Sequence, residues 1–152
     1  MGRINCFIPF ANAEQAAQTI QNLKEQELVN KIYLLATEEG ATAVEGCEFM
    51  PVKGLTASAT MLAIAERADA DYVLLYTKYD TLKMAPFALE RFAKLGDDTC
   101  SGMLYADHYN VTEDGANRAP VIDYQMGSLR DDFDLARYCS SVASASSVPL
   151  VR

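Results

Sequence analysis

A run of five apolar or aromatic side chains, from Tyr72 to Tyr76, is the feature that most restricts the fold of this chain. The run is as long as a β-strand and shorter than an ordinary helix. A strand without alternating polar positions is buried on both faces, as central strands of parallel sheets are when helices cover them. The run therefore indicates an α/β protein.

Strand-like and helical patterns alternate along the rest of the chain. Further strands are predicted at residues 4–8 (ended by Pro9), 31–36, 48–52 and 102–106, with a hairpin at 111–119 around Asp114-Gly115. Helices are predicted at 13–27 with Asn12 as the cap, from Thr56 or Ser58 to residue 68, and at 85–95 with Gly96 as the stop. This order predicts a three-layer sandwich with a mostly parallel central sheet.

Periodic apolar positions give each of the first two helices a buried face. In the first helix these are Ala16, Ala17, Ile20 and Leu23; in the second they are Met61, Leu62, Ile64 and Ala65. Residues 139–152 carry small and polar side chains without periodicity, and we expect a weakly structured tail there.

Composition limits the partners of the chain. It has 152 residues, enough for one domain, and a net charge of -8, which argues against nucleic acid or an anionic membrane as partner. A small phosphorylated ligand is compatible with this charge, because backbone amides can bind phosphate in a protein that is not basic overall. No apolar run is long enough for a transmembrane helix. The four separated cysteines predict reduced thiols in a cytoplasmic protein, and one histidine makes a zinc site improbable.

Sequence motifs exclude several enzyme classes. The chain has neither a Walker loop nor a G-x-G-x-x-G loop, so an ATPase and a dinucleotide enzyme are unsupported. It has no G-x-S-x-G elbow, and a single histidine leaves little room for a Ser-His-Asp triad.

Several segments together resemble one enzyme family. They are the opening Ile4–Asn12 with its helix, the turn at residues 54–58, the stretch 71–82, and the segments 103–107, 121–125 and 128–134. Over residues 3–135 the chain resembles family 2 glycosyltransferases of a bacterial, Bacteroides-type branch. That resemblance implies the GT-A fold of nucleotide-diphospho-sugar transferases for residues 1–138, with the acceptor-binding half expected to be missing and 139–152 an atypical tail.

The resemblance implies a donor site. Residues expected beside the base and ribose are Pro9, Phe10, Ala11, Asn12, Thr37 and Glu38. Lys53, Gly54 and Ser58 would form the phosphate-side turn, where a glycine lets the backbone approach the nucleotide closely. Thr77, Lys78, Tyr79 and Asp80 would face the diphosphate and the sugar.

The family's two metal-binding acids are replaced here by Thr77 and Tyr79. Asp80, with Asp107, would then hold Mn²⁺ or Mg²⁺, and Lys78 could supply part of the positive charge. Asp131 or Asp132 is the candidate for the base. Structural roles compete with several of these assignments: a helix cap for Asn12, a turn cap for Asp80, an exposed strand end for His108 and a salt-bridged turn for Asp131 and Asp132.

The implied function is transfer of a sugar from a UDP- or GDP-type donor to a saccharide or lipid-linked acceptor, in polysaccharide biosynthesis. It would take place in the cytoplasm or at the inner face of the membrane. A catalytically inactive nucleotide-sugar-binding or interaction domain is the alternative. A flavodoxin- or receiver-like domain is disfavoured, because Pro9-Phe10 stands where a receiver needs an acidic pair.

Overall fold

Four parallel strands lie side by side in a six-stranded sheet in the computed structural model, which describes residues 2–37, 44–55, 57–120 and the backbone of 141–144. The strands of this sheet are β1 (Ile4–Phe10), β2 (Val29–Ala36), β3 (Glu48–Pro51), β4 (Tyr72–Leu75), β5 (Met103–Leu104) and β8 (Ser141–Ser144). Their spatial order is β3-β2-β1-β4-β8-β5, and β8 is antiparallel to both of its neighbours. A separate hairpin consists of β6 (His108–Thr112) and β7 (Gly115–Ala119).

In the described part of the chain, three helices cover the two faces of the sheet: α1 (Ala13–Lys24), α2 (Ser58–Glu66) and α3 (Ala88–Thr99). Ile4, Cys6 and Ile8 of β1 belong to one buried cluster with residues of α1 and α3. Phe7 points the other way and belongs to a second cluster with Ile64 of α2. The α/β class and its helix-sheet-helix layering are thus confirmed.

The helix α1 follows the predicted pattern except at Ala17, which was expected on the buried face and is exposed. The Asn12 side chain accepts a hydrogen bond from the Gln15 backbone N–H at 2.8 Å, as a helix cap does. Ala16, Ile20 and Leu23 are buried, and the helix ends at Lys24, three residues before the predicted end. The capping role expected for Asn12 is confirmed.

Pro9 does not end β1 as the sequence indicated, because the strand continues to Phe10. On its other edge, β1 pairs with β4 only as far as Phe7 and Leu75. The Phe7 carbonyl oxygen accepts a hydrogen bond from the Tyr76 N–H, so the backbone groups of Phe7 face β4. Backbone groups alternate sides along a strand, so the nitrogen of Pro9 faces the same side, at a level beyond the end of β4. A proline without an N–H is therefore tolerated there.

The helix α3 begins three residues later than predicted and ends four residues later than predicted. Ala85 precedes Pro86, and a residue before proline is disfavoured in the helical conformation. Gly96 lies inside the helix and is buried, so its interpretation as the helix stop was wrong. The positive-φ residue at the C-terminus is Cys100, with φ 52°.

Three further expectations need correction. Met61 and Leu62 are exposed, and the buried face of α2 consists of Thr60 and Ile64. Within the predicted tail, Ser141–Ser144 forms strand β8 between β4 and β5. The strand predicted at 102–106 is reduced to Met103–Leu104. The hairpin around Asp114-Gly115 is confirmed, although it already begins at His108.

Candidate functional site

The strand order reverses direction between β1 and β4. From β1 the chain proceeds outward through β2 to β3, and it then returns to place β4 on the other side of β1. Ligands of open α/β sheets bind outside the carboxyl ends of the strands at such a reversal. We call the edge at which β1, β2, β3 and β4 end the carboxyl edge. The segments that leave β1 and β4 there are residues 10–12 and 76–80.

Gln15 joins these two segments. Its side-chain amide Nε2 donates to the Tyr79 carbonyl oxygen at 2.6 Å, and its Oε1 accepts from the Ala11 N–H at 3.3 Å. Gln15 is the third residue of α1, a position whose side chain commonly bonds back to the chain before the helix. The turn after β1 and the loop after β4 are therefore held as one unit.

Two more α1 side chains hold the loop that follows β4. The Thr19 hydroxyl oxygen accepts from the Leu82 N–H at 3.0 Å, and the Asn22 amide donates to the Leu82 carbonyl oxygen at 3.0 Å. Positions 15, 19 and 22 lie on one face of a helix. This polar row satisfies backbone groups of the loop and fixes its path across α1.

Tyr76 shapes the first part of the same loop. Its buried hydroxyl donates to the Asp80 carbonyl oxygen at 3.1 Å, which closes a turn over residues 76–80. Burial, followed by the nearby Asp80 carboxylate, raises the pKa of Tyr76 to about 12. The Asp80 side chain itself is exposed. Asp80 thus takes part in this turn through its carbonyl group, whereas the cap expected of its side chain stays a prediction.

Lys78 and His108 meet at the carboxyl edge. The Lys78 Nζ and His108 Nε2 atoms are 3.5 Å apart, and both residues are half-buried. Burial and then the Lys78 charge lower the pKa of His108, whereas the Asp107 carboxylate acts in the opposite direction. Asp107 forms an ion pair with Arg118 at 2.5 Å. His108 was interpreted as an exposed strand end, so its proximity to Lys78 was missed.

The two predicted metal ligands, Asp80 and Asp107, lie on different segments, one after β4 and the other between β5 and β6. Asp80 is exposed on its loop, and the Arg118 guanidinium competes with a metal for the Asp107 carboxylate. Within residues 2–37, 44–55 and 57–120, no three His, Cys, Asp or Glu side chains come together as a metal site. These residues do not supply the oxygen set that a divalent cation takes, so a metal here would depend on phosphate oxygens of its ligand.

The residues predicted for the base and ribose differ in accessibility. The Phe10 ring is buried and packs edge-on against Phe49, with ring centroids 5.0 Å apart. The Phe10 ring is therefore part of the hydrophobic core. Pro9 is also buried, whereas Ala11, Asn12 and Thr37 are exposed at the carboxyl edge. Glu38 lies outside the described residues, as do Asp131 and Asp132.

The predicted phosphate-side turn lies farther along the carboxyl edge. It follows β3, which is two strands from β1, or about 10 Å at the usual strand spacing. Lys53 and Ser58 are exposed, and Gly54 is half-buried. A Cβ atom on Gly54 would meet no atom within 4 Å, so the close approach expected there stays a prediction about a ligand. The Gly54 carbonyl oxygen accepts from the Thr60 hydroxyl at 2.6 Å, which anchors the turn to α2.

The hollow between β1, β4 and α1 is small. It is lined by residues that include Gln15, Tyr76 and Lys78, and these side chains leave no room inside it for a bound molecule. Binding pockets for small molecules usually measure about 300–1,000 Å³.

A comparison with models of known protein families found no match, and a search of curated proteins found none either. Among the described residues, no helix has both the length and the apolar character needed to cross a membrane.

Proposed function

We propose that the chain is a glycosyltransferase-like domain of the GT-A type that binds a nucleoside-diphosphate sugar at the carboxyl edge, between β1 and β4. The sugar would be transferred to a saccharide or lipid-linked acceptor. The resemblance of residues 3–135 to family 2 glycosyltransferases suggests this activity.

One structural observation carries the proposal. The strand order reverses between β1 and β4, and Gln15 ties together the two segments that leave these strands. A loop held in this way offers a ligand fixed backbone groups, so less ordering is needed when the ligand binds. Ala11, Asn12 and Lys78 lie on these segments, where the resemblance places the base, the ribose and the diphosphate.

The proposed reaction needs two things from the protein. The acceptor hydroxyl oxygen forms a bond to the anomeric carbon as the bond to the diphosphate oxygen breaks, and the diphosphate leaves with the electron pair. Lys78 donates to the leaving diphosphate and stabilises its growing charge. A base takes the hydroxyl proton, and Asp131 or Asp132 is proposed for this role. A bound Mn²⁺ or Mg²⁺ ion would add positive charge at the diphosphate, with Asp80 and Asp107 as its proposed ligands.

A catalytically inactive nucleotide-sugar-binding domain is the second candidate. Thr77 and Tyr79 stand where the family carries two acids, and Asp107 is paired with Arg118. Both observations weaken the metal site that the family uses for the leaving group, while the binding surface between β1 and β4 is unaffected.

Thermal unfolding with uridine diphosphate or guanosine diphosphate, each with and without Mn²⁺, tests binding. A ligand at one hundred times its Kd stabilises the native state by about 2.7 kcal/mol, which should raise the Tm of a chain of this size by about 5 °C or more. Uridine is the matched control without the diphosphate. If neither nucleoside diphosphate raises the Tm under any condition, the proposal is wrong.

Release of UDP from UDP-glucose and of GDP from GDP-mannose distinguishes the two candidates. Turnover that is lost in both Lys78→Ala and Asp80→Ala supports the transferase. Tm stabilisation without any turnover supports the binding domain.

A further inference from the structure

The strands β1 and β2 are irregularly paired at the amino edge, the edge at which β1, β2 and β4 begin. Ile4 lies opposite Val29, and the next residue, Asn5, lies opposite Lys31. Asn30 is therefore an extra residue in β2, which makes it a β-bulge. Bulges are rare between parallel strands, so we looked for the side chains that hold this one in place.

The bulge decides which side chains of β2 enter the apolar core. Side chains alternate between the two faces of a regular strand, so positions 29 and 32 would point in opposite directions. Val29 and Ile32 nevertheless both pack in the cluster that contains residues of α1 and α3, while Tyr33 packs in the cluster on the α2 side. Because of the bulge, Val29 enters the first cluster and the polar side chain of Asn30 stays out of it.

Asn5 binds the side chain of this extra residue. Asn5 is completely buried, and its Oδ1 atom accepts from the Asn30 Nδ2 atom at 3.1 Å. The Asn5 Nδ2 atom donates to the Arg67 carbonyl oxygen at 3.2 Å and to the Asp69 Oδ1 atom at 2.6 Å. Arg67 and Asp69 belong to the connection from α2 to β4. A buried amide is costly without partners, and these three bonds supply them.

The residue after the bulge reaches the same group of side chains. The Lys31 Nζ atom lies 2.7 Å from the Asp69 Oδ2 atom, so Asp69 accepts from Asn5 on one oxygen and from Lys31 on the other. The side chains of this ion pair are 37% and 55% exposed, and an exposed pair contributes little stability. The bonds of the buried Asn5 amide are therefore the stronger determinant of the arrangement.

We propose that Asn5 fixes the register of β1 and β2: its amide group selects the bulged conformation of β2 and ties the start of this strand to the connection between α2 and β4. A buried polar network whose members are all satisfied is rigid and specifies one arrangement. The competing arrangement has no bulge, places Asn30 opposite Ile4 and turns its amide toward the apolar cluster in place of Val29. This role is independent of the proposed function, which concerns the opposite edge of the sheet.

Amide hydrogen exchange of the full chain, followed residue by residue by NMR, tests this role. Asn30 is exposed, so Asn30→Ala leaves the core intact and takes one donor from the Asn5 Oδ1 atom. We expect the amides of residues 29–31 to exchange about tenfold faster than in the wild type, while those of residues 33–36 follow the global stability. Asn5→Leu removes all three bonds and should have a larger effect on residues 29–31.

Thr60→Val is the matched control. It removes the hydrogen bond of another buried side chain, which donates to the Gly54 carbonyl oxygen in the turn at the carboxyl edge. We expect this variant to be less stable overall, without a selective acceleration of exchange at residues 29–31. Nuclear Overhauser contacts between β1 and β2 report the register directly: in Asn5→Leu the contact of Ile4 with Val29 should weaken and one with Asn30 should appear.

The outcomes are distinct. Selective acceleration at residues 29–31 in Asn30→Ala and Asn5→Leu, and its absence in Thr60→Val, supports the role of Asn5. Exchange at residues 29–31 that is accelerated no more in these two variants than in Thr60→Val overturns it, as does an unchanged contact of Ile4 with Val29 in Asn5→Leu. If Asn5→Leu does not fold, the comparison of Asn30→Ala with Thr60→Val decides alone.

Discussion

Gly96 lies so close to the ring of Tyr72 that a Cβ atom at Gly96 would be 2.7 Å from the ring atom Cε1 and 2.8 Å from the hydroxyl oxygen. The Tyr72 hydroxyl donates to the Asp97 carboxylate and, at 3.2 Å, to the Ala93 carbonyl oxygen. Because these bonds hold the ring against α3, the ring cannot easily move away from an added methyl group. Gly96 is thus a contact between α3 and β4.

We expect Gly96→Ala to lower the free energy of unfolding by about 1–2 kcal/mol. Alanine gains about 1 kcal/mol of helix propensity over glycine. Overpacking a buried contact costs about 1–3 kcal/mol, and the upper part of that range applies here because the added atom would lie 2.7 Å from a ring that is held in place. Denaturant unfolding measures the net effect. Gly54→Ala is the control, since a Cβ atom there meets nothing within 4 Å. A variant as stable as the wild type would contradict the proposed contact.

Two of the buried tyrosines, Tyr72 and Tyr76, should make the protein less stable in alkali. The hydrogen bond to Asp97, with burial, raises the pKa of Tyr72 to about 12, and burial and the Asp80 charge raise that of Tyr76 to about 12. The unfolded chain loses these protons near pH 10, so it binds fewer protons than the folded chain between about pH 10 and 12. Stability should therefore fall as the pH rises through this window.

Unfolding by urea at a series of alkaline pH values measures this effect. Tyr72→Phe and Tyr76→Phe should each remove part of the slope, and the exposed Tyr109 serves as the control for the same substitution. A slope that is equal in all three variants and the wild type would show that other groups cause it.

Gln15→Ala should loosen the loop after β4 more than it destabilises the fold. The substitution removes one hydrogen bond to the Tyr79 carbonyl and one from the Ala11 N–H, each of which is worth about 1 kcal/mol. We expect faster hydrogen exchange over residues 77–82, with weaker nucleotide binding if the proposed site is correct. Gln18→Ala, an exposed glutamine on the same helix, should change neither property.

His108 should destabilise the folded chain as it becomes protonated. Burial and Lys78 lower its pKa below the usual 6.5. Between the folded pKa and 6.5 the unfolded chain binds more protons, so stability should rise with pH across that window. The chain has one histidine, so its imidazole NMR signals report this pKa directly. Lys78→Met should raise the pKa, while Lys83→Met should not; an unchanged value in Lys78→Met would show that the two groups do not interact.

The sequence predicted those parts of the fold that depend on local apolar patterns. The run Tyr72–Tyr76 contains a buried central strand, and the Asn12 cap with the Ala16, Ile20 and Leu23 spacing identified α1. Pro86 also indicated that α3 starts later than Ala85, because a residue before proline is disfavoured in a helix. The apolar pattern alone did not show this.

Features that depend on distant contacts could not be predicted in this way. Gly96 resembles a helix stop until its contact with Tyr72 is known. Ser141–Ser144 has small and polar side chains, and its place as a strand is set by pairing with β4 and β5. In the candidate site, the helix position of Gln15 was a usable signal, but the proximity of Lys78 to His108 follows from the strand order alone.

The position of β8 has a consequence for synthesis of the chain. Leu75 pairs with Ser141, so one side of β4 has its described partner only after a long stretch of chain has been made. Met103 and Leu104 likewise pair with β8, and in the described residues they have no other strand beside them. Until Ser141–Ser144 is synthesised, a nascent chain would display an open, apolar strand edge at β4, the kind of edge on which aggregation begins. The rate of translation after β7 and access to chaperones should therefore influence the yield of folded protein.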